Sequence, residues 1–458
     1  MLPDEVLLEI FDFYADEEQF TKKQIEAWQT LVHVCRLWRN VVFRSPHRLN
    51  LRLVCTPRTP VRHTVDVWPA LPVLIRGEGS DTSDMNNIIS VLERDVRVSQ
   101  IKLVGVPGLQ LGSVSTAMKA SFLELTHLEL WSFDDAVPVL PDSFLGGSTP
   151  SLRFLLLSRI PFPGIPTLLL SATQLVDLHL WEIPHFCYIS PEAMLTTLFT
   201  LTSLESLSLK FQPCQLPHTH LDQESRPPCF VLPVLTRFWF KGEYEYLDDL
   251  VASIDSPQLE YLDITFFNDV EFQTPQLVQF VTRAPTLNAP EKAVISFENG
   301  AARVKLSSQT SGYGEVIVEI LCIQPEWQIS SLAEVCTSSF PPLSTLEDLC
   351  IFDHPCSQLY FRDDINDKLW QDLFISFDQV KNLYLSEVSV SYIEVVLRRG
   401  NTAEVFPALQ NIFLEGLQPS GTVPKAFEEF VNKRETVGRP IVASPWVRKS
   451  RFLGVEDY

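Results

Sequence analysis

The chain has 458 residues, of which 45% are hydrophobic and 20% are charged, and its formal net charge is −21. This composition excludes a disordered chain, and the length predicts two or three domains, or one repeat array with an appendage. No apolar run of about eighteen residues occurs, so we expect no membrane-spanning helix and no membrane partner. Most of the acidic excess follows residue 62, which disfavours nucleic acid as a partner.

The nine cysteines are scattered along the chain and include no Cys-x-x-Cys pair. Such a distribution is typical of proteins in a reducing compartment, because it supports neither a disulfide framework nor a standard zinc motif. We therefore expect the protein in the cytoplasm, in the nucleus or in both.

A first helix is predicted to begin close to Pro3. Proline suits the first helical position, where its missing N–H is not needed, and the carboxylates of Asp4 and Glu5 are favourable at the positive end of the helix dipole. Apolar residues at helical spacing predict one apolar face on this helix, formed by Leu7, Ile10, Phe11 and Tyr14.

Two further helices are predicted in the same region. A capping-box pattern at 21–24 predicts the second, and apolar residues at helical spacing predict the third as one continuous helix. Three short helices bury little apolar area alone, so their exposed apolar face is completed either by a partner or by the rest of the chain. The residues that predict the third helix are Leu31, Val34, Trp38 and Val41.

The first 55 residues resemble the F-box, the module by which an adaptor subunit of cullin-type (SCF) ubiquitin ligases holds a substrate receptor. The resemblance is carried by Leu2, Pro3, Glu5, Leu7, Leu8 and Ile10, followed by Val34, Cys35, Arg36, Trp38 and Arg39. The stretch between these two groups is several residues longer than the usual motif. The resemblance implies binding to the adaptor and, through it, to a cullin scaffold. It implies adaptor contacts at Leu2, Pro3, Leu7, Ile10, Val34, Cys35 and Trp38.

A Leu-x-x-Leu-x-Leu pattern recurs from about residue 100 onward, with a mean spacing of about 28 residues. This period is similar to that of leucine-rich repeats, in which stacked strands form a curved parallel sheet with helices on the convex side. We therefore expect an α/β fold, with the three-helix module followed by an irregular horseshoe. The clear copies are centred on Leu128, Leu155, Leu178, Leu207, Phe238, Leu262, Leu349, Leu383 and Ile412, and weaker ones on Ile101, Ile295 and Val318.

The predicted array contains an insertion. Asn299-Gly300 lies between two segments of alternating apolar residues, which predicts a hairpin near 293–322. The predicted domains are the helical module at 1–48, a linker with the first strands at 49–98, the repeat solenoid with its inserted hairpin at 99–430, and a C-terminal tail at 431–458.

Catalytic and metal-binding motifs are absent from the sequence or incomplete in it. The sequence has no Gly-rich phosphate loop, no Gly-x-Ser-x-Gly elbow and no His-Glu-x-x-His helix. Cys214, His218, His220 and Cys229 could supply zinc ligands, but their spacing fits no standard knuckle. We predict no metal, no cofactor and no catalytic residue. A hydrolase or transferase would instead require titratable groups that converge on one pocket.

Residues between the leucines are predicted to lie on the other face of each strand, because side chains alternate along a strand. Aromatic side chains that the core does not need are typical anchors for protein binding. A covering segment, such as the one around Trp446, is the alternative explanation. The substrate-binding candidates are Trp131, Phe154, Trp181, Trp239, Tyr261, Phe352, Tyr384 and Phe413.

Together these features predict the substrate-recognition subunit of an SCF ubiquitin ligase, which is not itself an enzyme. The alternative is a repeat scaffold for protein–protein interaction whose helical cap never meets a ligase. The sequence does not identify the protein substrate.

Overall fold

The computed structural model describes residues 2–15, 27–58, 65, 68–78, 85–94, 97–134, 137–213, 229–267, 274–298, 300–308, 314–339, 343–353, 367–390, 393, 405–416 and 425–446. These residues form a mixed α/β fold in which most strands are parallel. The chain divides into two units. The first comprises 1–189 and 196–204, and the second comprises 190–195 and 205–458.

The first unit begins with helices and continues as alternating strands and helical turns. Its helices are α1 (Asp4–Ala15), α2 (Ala27–Val34), α3 (Arg36–Arg44), α4 (Asn86–Leu92), α5 (Gly108–Ala117) and α6 (Ile165–Leu169). Its strands are β1 (Leu53–Cys55), β2 (Val73–Glu78), β3 (Val98–Val104), β4 (His127–Trp131), β5 (Phe154–Ser158) and β6 (Asp177–Ile183). Helix α7 (Pro191–Leu198) has residues in both units.

Helix α1 begins directly after Pro3, as predicted, but its buried face differs from the predicted one. Leu7 and Phe11 are buried, and the Phe11 ring packs edge-on against Trp38 with centroids 4.9 Å apart. Ile10, which was predicted to share this face, is 46% exposed. The side chain of Tyr14 lies outside the described part. Because Leu7 and Phe11 already cover the short helices beneath them, Ile10 on the flank of α1 stays at the surface.

The predicted third helix is two helices. Cys35 interrupts it with an extended backbone, and its Sγ accepts a hydrogen bond from the backbone N–H of Trp38 at 3.5 Å. The thiol therefore caps the start of α3, which explains why helical spacing across Cys35 did not produce a continuous helix. The capping box at 21–24 lies outside the described residues.

The N-terminal helices are attached to the chain segment that leads into β1. Trp28 donates from Nε1 to the carbonyl oxygen of Arg52 at 3.0 Å. Arg48 bonds Asp12 from Nε at 3.1 Å and also pairs with Glu9. The buried indole fixes the position of α2, whereas the exposed ion pairs add little stability.

The six strands of the first unit pair in parallel and in chain order. The repeat centres are in register, because Ile101 pairs with Leu128, Leu128 with Leu155, and Leu155 with Leu178. All four side chains are fully buried. Burying each one contributes roughly 1.5–3 kcal/mol, so the repeated leucines form the core of this unit. The strands predicted from these repeats are confirmed.

The second unit has the same alternation. Its further helices are α8 (Tyr244–Val251), α9 (Pro275–Arg283), α10 (Pro325–Glu334), α11 (Asp367–Ile375) and α12 (Lys425–Thr436). Its strands are β7 (Ser206–Phe211), β8 (Phe230–Val231), β9 (Arg237–Gly242), β10 (Ile254–Asp255), β11 (Tyr261–Phe267), β12 (Lys292–Glu298), β13 (Ala301–Ser307), β14 (Glu315–Leu321), β15 (Asp348–Asp353), β16 (Asn382–Leu385), β17 (Asn411–Glu415) and β18 (Val442–Trp446).

The sheet of the second unit has the strand order β7-β9-β11-β14-β13-β12-β15-β16-β17-β18, and β8 pairs separately with β10. The predicted hairpin is confirmed, since β13 is antiparallel to β12 and β14. Simple stacking in chain order is wrong here, because Ile295 and Val318 each pair with Val304 and not with one another. Both turns need glycine: Gly300 and Gly314 have positive φ, and a Cβ on Gly314 would collide with a backbone oxygen.

The segment predicted as a C-terminal tail begins within α12 and contains β18. Strand β18 pairs in parallel with β17, with Phe413 opposite Ser444. Trp446, the last residue of this strand, therefore belongs to the sheet.

Candidate functional site

The predicted anchors lie on one face of each unit's sheet. Along the strands, buried leucines alternate with half-buried side chains on the opposite face, which we call the open face of that unit. All eight predicted substrate-binding aromatic residues are half-buried on an open face. Trp131, Phe154 and Trp181 belong to the first unit, and Trp239, Tyr261, Phe352, Tyr384 and Phe413 belong to the second.

A separate set of exposed apolar side chains lies on the N-terminal helices, and we call it the N-terminal apolar surface. It consists of Leu2, Val6, Ile10 and Val34, whose exposed fractions are 54%, 42%, 46% and 59%. Val6 was not among the predicted contacts, although it precedes Ile10 by one helical turn.

The other residues that the F-box resemblance implied differ in exposure. Pro3 and Cys35 are exposed, Trp38 is half-buried against Phe11, and Leu7 is buried. Leu7 therefore contributes to the core of the helical module in this structure.

The open face of the first unit carries five neighbouring rings, which we call the ring platform: His127, Trp131, Phe154, His179 and Trp181. His127 and Phe154 stack face to face, with centroids 4.2 Å apart and planes 9° apart. Trp131 and Trp181 meet at 66° with centroids 5.3 Å apart. His179 connects these two pairs, since its ring centroid lies 5.5 Å from that of Phe154 and 5.7 Å from that of Trp181.

Charged residues continue this face beside the platform. Glu129 is 8% exposed, and its Oε2 lies 3.2 Å from Lys102 Nζ and 3.6 Å from His127 Nε2. Burial by itself would raise the pKa of Glu129, but His127 and Lys102 hold that pKa below its ordinary value. Burial lowers the pKa of the guanidinium groups of Arg52 and Arg76.

The open face of the second unit has its own pair of rings. Trp239 and Tyr261 lie with centroids 5.3 Å apart and planes 45° apart. Arg237 Cζ lies 5.9 Å from the centroid of Trp239, which is a cation–π distance. Tyr261 donates from its hydroxyl to Asp263 Oδ2 at 3.2 Å, which links the rings to a cluster of charges.

This cluster spans three neighbouring strands, β11, β14 and the antiparallel β13. Arg303 lies opposite Glu319 in the strand register, and Thr265 donates to Glu319 Oε2 at 3.1 Å. Burial raises the pKa of both Asp263 and Glu319, although Arg303 opposes that increase. Burial therefore favours the protonated form of both carboxyl groups, and Arg303 favours the ionised form.

Near the end of the second unit, rings and amides form two parallel rows. Tyr384 and Phe413 stack with ring centroids 4.6 Å apart and planes 11° apart. The ring centroid of Trp446 lies 5.5 Å from that of Tyr384. In the other row, Asn382 bonds Asp348, and Asn411 bonds Asn382.

Sequence reasoning missed the polar partners on these faces. Glu129, Asp348, Asn382 and Asn411 each stand next to a repeat leucine or isoleucine. The available signal was a polar residue at the same position of consecutive repeats. This signal was missed because only the aromatic residues between the leucines were considered as binding candidates.

The zinc alternative lies mostly outside the described residues, since Cys214, His218 and His220 are not described and Cys229 is exposed. Among the residues that the structure describes, no three His, Cys, Asp or Glu side chains are grouped to hold a metal ion. Within the same ranges, no helix has the length and apolar character to span a membrane.

A scan against protein-family models finds no family that matches this chain, and a comparison with curated proteins finds no significant match.

Proposed function

We propose that this protein is the substrate-recognition subunit of an SCF-type ubiquitin ligase. In this proposal the N-terminal helices bind the ligase adaptor, and through it a cullin scaffold. The open faces bind a protein substrate, and ubiquitin transfer is carried out by other subunits. The chain itself is not an enzyme and uses no metal or cofactor.

The N-terminal apolar surface is the observation that carries the proposal. Val6 and Ile10 lie one turn apart on α1, while the buried Leu7 and Phe11 hold the helices together. The module thus has a core of its own and still exposes apolar side chains, which is typical of a surface that a protein partner covers. Several of these exposed side chains stand at positions that the F-box resemblance assigns to the adaptor.

The finer architecture belongs to the same proposal. We interpret the N-terminal helices as a three-helix F-box and the strand–helix units as leucine-rich repeats that form a horseshoe. In-register leucines at one position per repeat support this interpretation. The half-buried aromatic residues of the open faces support a role in protein binding, because such side chains supply most of the binding energy in interfaces.

The test is coexpression of the full chain with the adaptor subunit, followed by size-exclusion chromatography. The double variant Ile10→Glu/Val34→Glu should lose the stoichiometric complex, since two carboxylates would be desolvated in the interface. The matched control is Leu109→Glu/Leu123→Glu, which places the same two charges at side chains that are 92% and 62% exposed outside the module. It should bind like the parent chain.

Leu7 is unsuitable for this experiment, because a charge at a buried position would unfold the module. Circular dichroism melting of the double variant establishes that the chain is still folded. A folded parent chain that does not associate with the adaptor would contradict the ligase role and leave the non-ligase scaffold as the explanation.

A further inference from the structure

At the β1–β3 end of the first unit's open face, the described side chains carry a charge opposite in sign to that of the whole chain. The chain carries −21, yet three neighbouring segments of this face present Arg52, Arg76 and Lys102. Their acidic neighbours are Glu78 and Glu129, while a third carboxylate of this face, Asp177, lies farther away in β6 opposite Phe154. Among the described residues the cations therefore outnumber the carboxylates at this end of the face, and the His127 imidazole lies beside them.

Glu129 contacts both Lys102 and His127 and is more deeply buried than either. Its side chain is 10% exposed, whereas that of Lys102 is 38% exposed and that of His127 is 30% exposed. The buried carboxylate therefore holds the amine and the imidazole in place while both remain accessible at the surface. A binding site gains from such fixed positions, since less side-chain freedom is lost when a ligand arrives.

Arg52, just before β1, and Arg76, in the paired strand β2, are half-buried guanidinium groups of like charge. Arg76 adds to the burial that lowers the pKa of Arg52. Like charges brought together in a partly desolvated place are unfavourable, and an anion that docks between them relieves the repulsion. The geometry of the strands thus places a surplus of positive charge directly beside the ring platform.

We propose that this face binds an acidic segment of the protein partner, with carboxylates on Arg52, Arg76 and Lys102 and an aromatic side chain on the Trp131–Trp181 pair. The remainder of the chain is strongly acidic and repels acidic segments. An acidic segment is therefore bound only at this face. This inference rests on the proposed function, since it names the class of substrate that the receptor would take.

The experiment measures fluorescence anisotropy of labelled peptides with the full chain. The probe is a short peptide in which one tryptophan is flanked by glutamates. One matched peptide has glutamine in place of glutamate, one has alanine in place of tryptophan, and one has lysine in place of glutamate. The acidic tryptophan peptide should bind saturably, and each matched peptide should bind about tenfold more weakly or worse.

Variants of the chain test the site itself. Arg76→Gln should weaken binding of the acidic tryptophan peptide about fivefold and Arg76→Glu about tenfold or more, because they remove or reverse one charge of the site. Arg94→Glu makes the same charge reversal at an exposed position after α4 and should bind as the parent does. If Arg76→Glu has a lower melting temperature than the parent, Arg76→Gln still tests the site, because it introduces no carboxylate beside Glu129.

Three results would overturn the inference: equal binding of the glutamine peptide, tighter binding of the lysine peptide, or no saturable binding of the acidic tryptophan peptide. No ligase component takes part in this assay. A chain that binds the adaptor but not the peptide would therefore refute the substrate class alone, and a chain that binds the peptide but not the adaptor would refute the ligase role alone.

Discussion

Asn382 donates a hydrogen bond from Nδ2 to Oδ1 of Asp348 at 2.7 Å, across the parallel strands β15 and β16. Asn411 repeats the contact one strand further on, from its Nδ2 to Asn382 Oδ1 at 2.8 Å. Each residue stands directly before the central apolar residue of its repeat. The side chains of this row thus link three neighbouring strands on the face opposite the buried Leu349, Leu383 and Ile412.

Replacing the middle member of this amide row should remove two hydrogen bonds at once. We expect Asn382→Ala to lower the free energy of unfolding of the second unit by about 1–2 kcal/mol. Asn411→Ala removes only one bond and should have about half the effect. Urea denaturation followed by circular dichroism measures both variants, and equal losses would show that the bonds do not act as a row.

Among the charged residues of α12, we expect substitution of Arg434 to cause the largest loss of stability. It is 2% exposed and donates to the carbonyl oxygens of Phe406, Pro407 and Leu409, at 3.2, 3.1 and 3.5 Å. Arg434→Met would leave these buried acceptors without their donor, so we expect a loss of about 2–4 kcal/mol.

Thermal unfolding of the full chain measures this loss. The matched control is Lys433→Met, which removes a positive charge from an exposed neighbouring position and should leave the melting temperature nearly unchanged. Similar melting temperatures for the two variants would show that the buried guanidinium contributes nothing beyond its charge.

Glu319 should destabilise the second unit increasingly as the pH rises. Its pKa in the folded state is raised, chiefly by burial, with Thr265, Arg303, Asp263 and Glu298 as the neighbouring groups. The folded chain then binds more protons than the unfolded one, so stability falls as the pH rises from the unfolded pKa through the folded pKa. We expect Glu319→Gln to be more stable relative to the parent at about pH 8 than at about pH 4.

Glu129 should affect the pH dependence of stability in the opposite direction. Its folded pKa is lowered, so its stabilising effect is complete above the unfolded pKa and is lost as the pH falls through the folded pKa. Glu129→Gln should therefore be less stable than the parent at neutral pH, and the difference should shrink in acid. Urea midpoints measured across this pH range test both variants, and parallel pH profiles would contradict the assigned signs.

Arg159 occupies a backbone position that favours glycine. Its φ is 57°, and it follows Ser158 as Gly105, with φ of 73°, follows Val104 at the end of β3. A side chain costs roughly 1–2 kcal/mol in this left-handed region, whereas glycine does not. We expect Arg159→Gly to stabilise the first unit by about 0.5–1 kcal/mol in urea denaturation. Arg153→Gly, before β5 where φ is not positive, should instead be neutral or destabilising.

Local periodicity was sufficient to find the strands of the repeats, because the alternation of leucines depends only on which face of a strand is buried. It placed Leu128, Leu155 and Leu178 correctly, and Asn299-Gly300 correctly marked a hairpin, since a tight turn is encoded by adjacent residues. The same alternation put the eight aromatic candidates on the open faces. Their role as substrate anchors stays a prediction.

In the second unit, the structure alone decided how the hairpin strands pair with the rest of the sheet. Strand β14 pairs with β11, and the antiparallel β13 brings Arg303 opposite Glu319, because register between distant segments depends on how whole strands fit and not on any local pattern. The break at Cys35, the burial of Leu7 and the exposure of Ile10 are decided in the same way, by what each helix packs against. The charge balance and the pKa shifts on a face arise from side chains that are far apart in sequence. For this reason the contacts of Glu129 could not be predicted from the sequence.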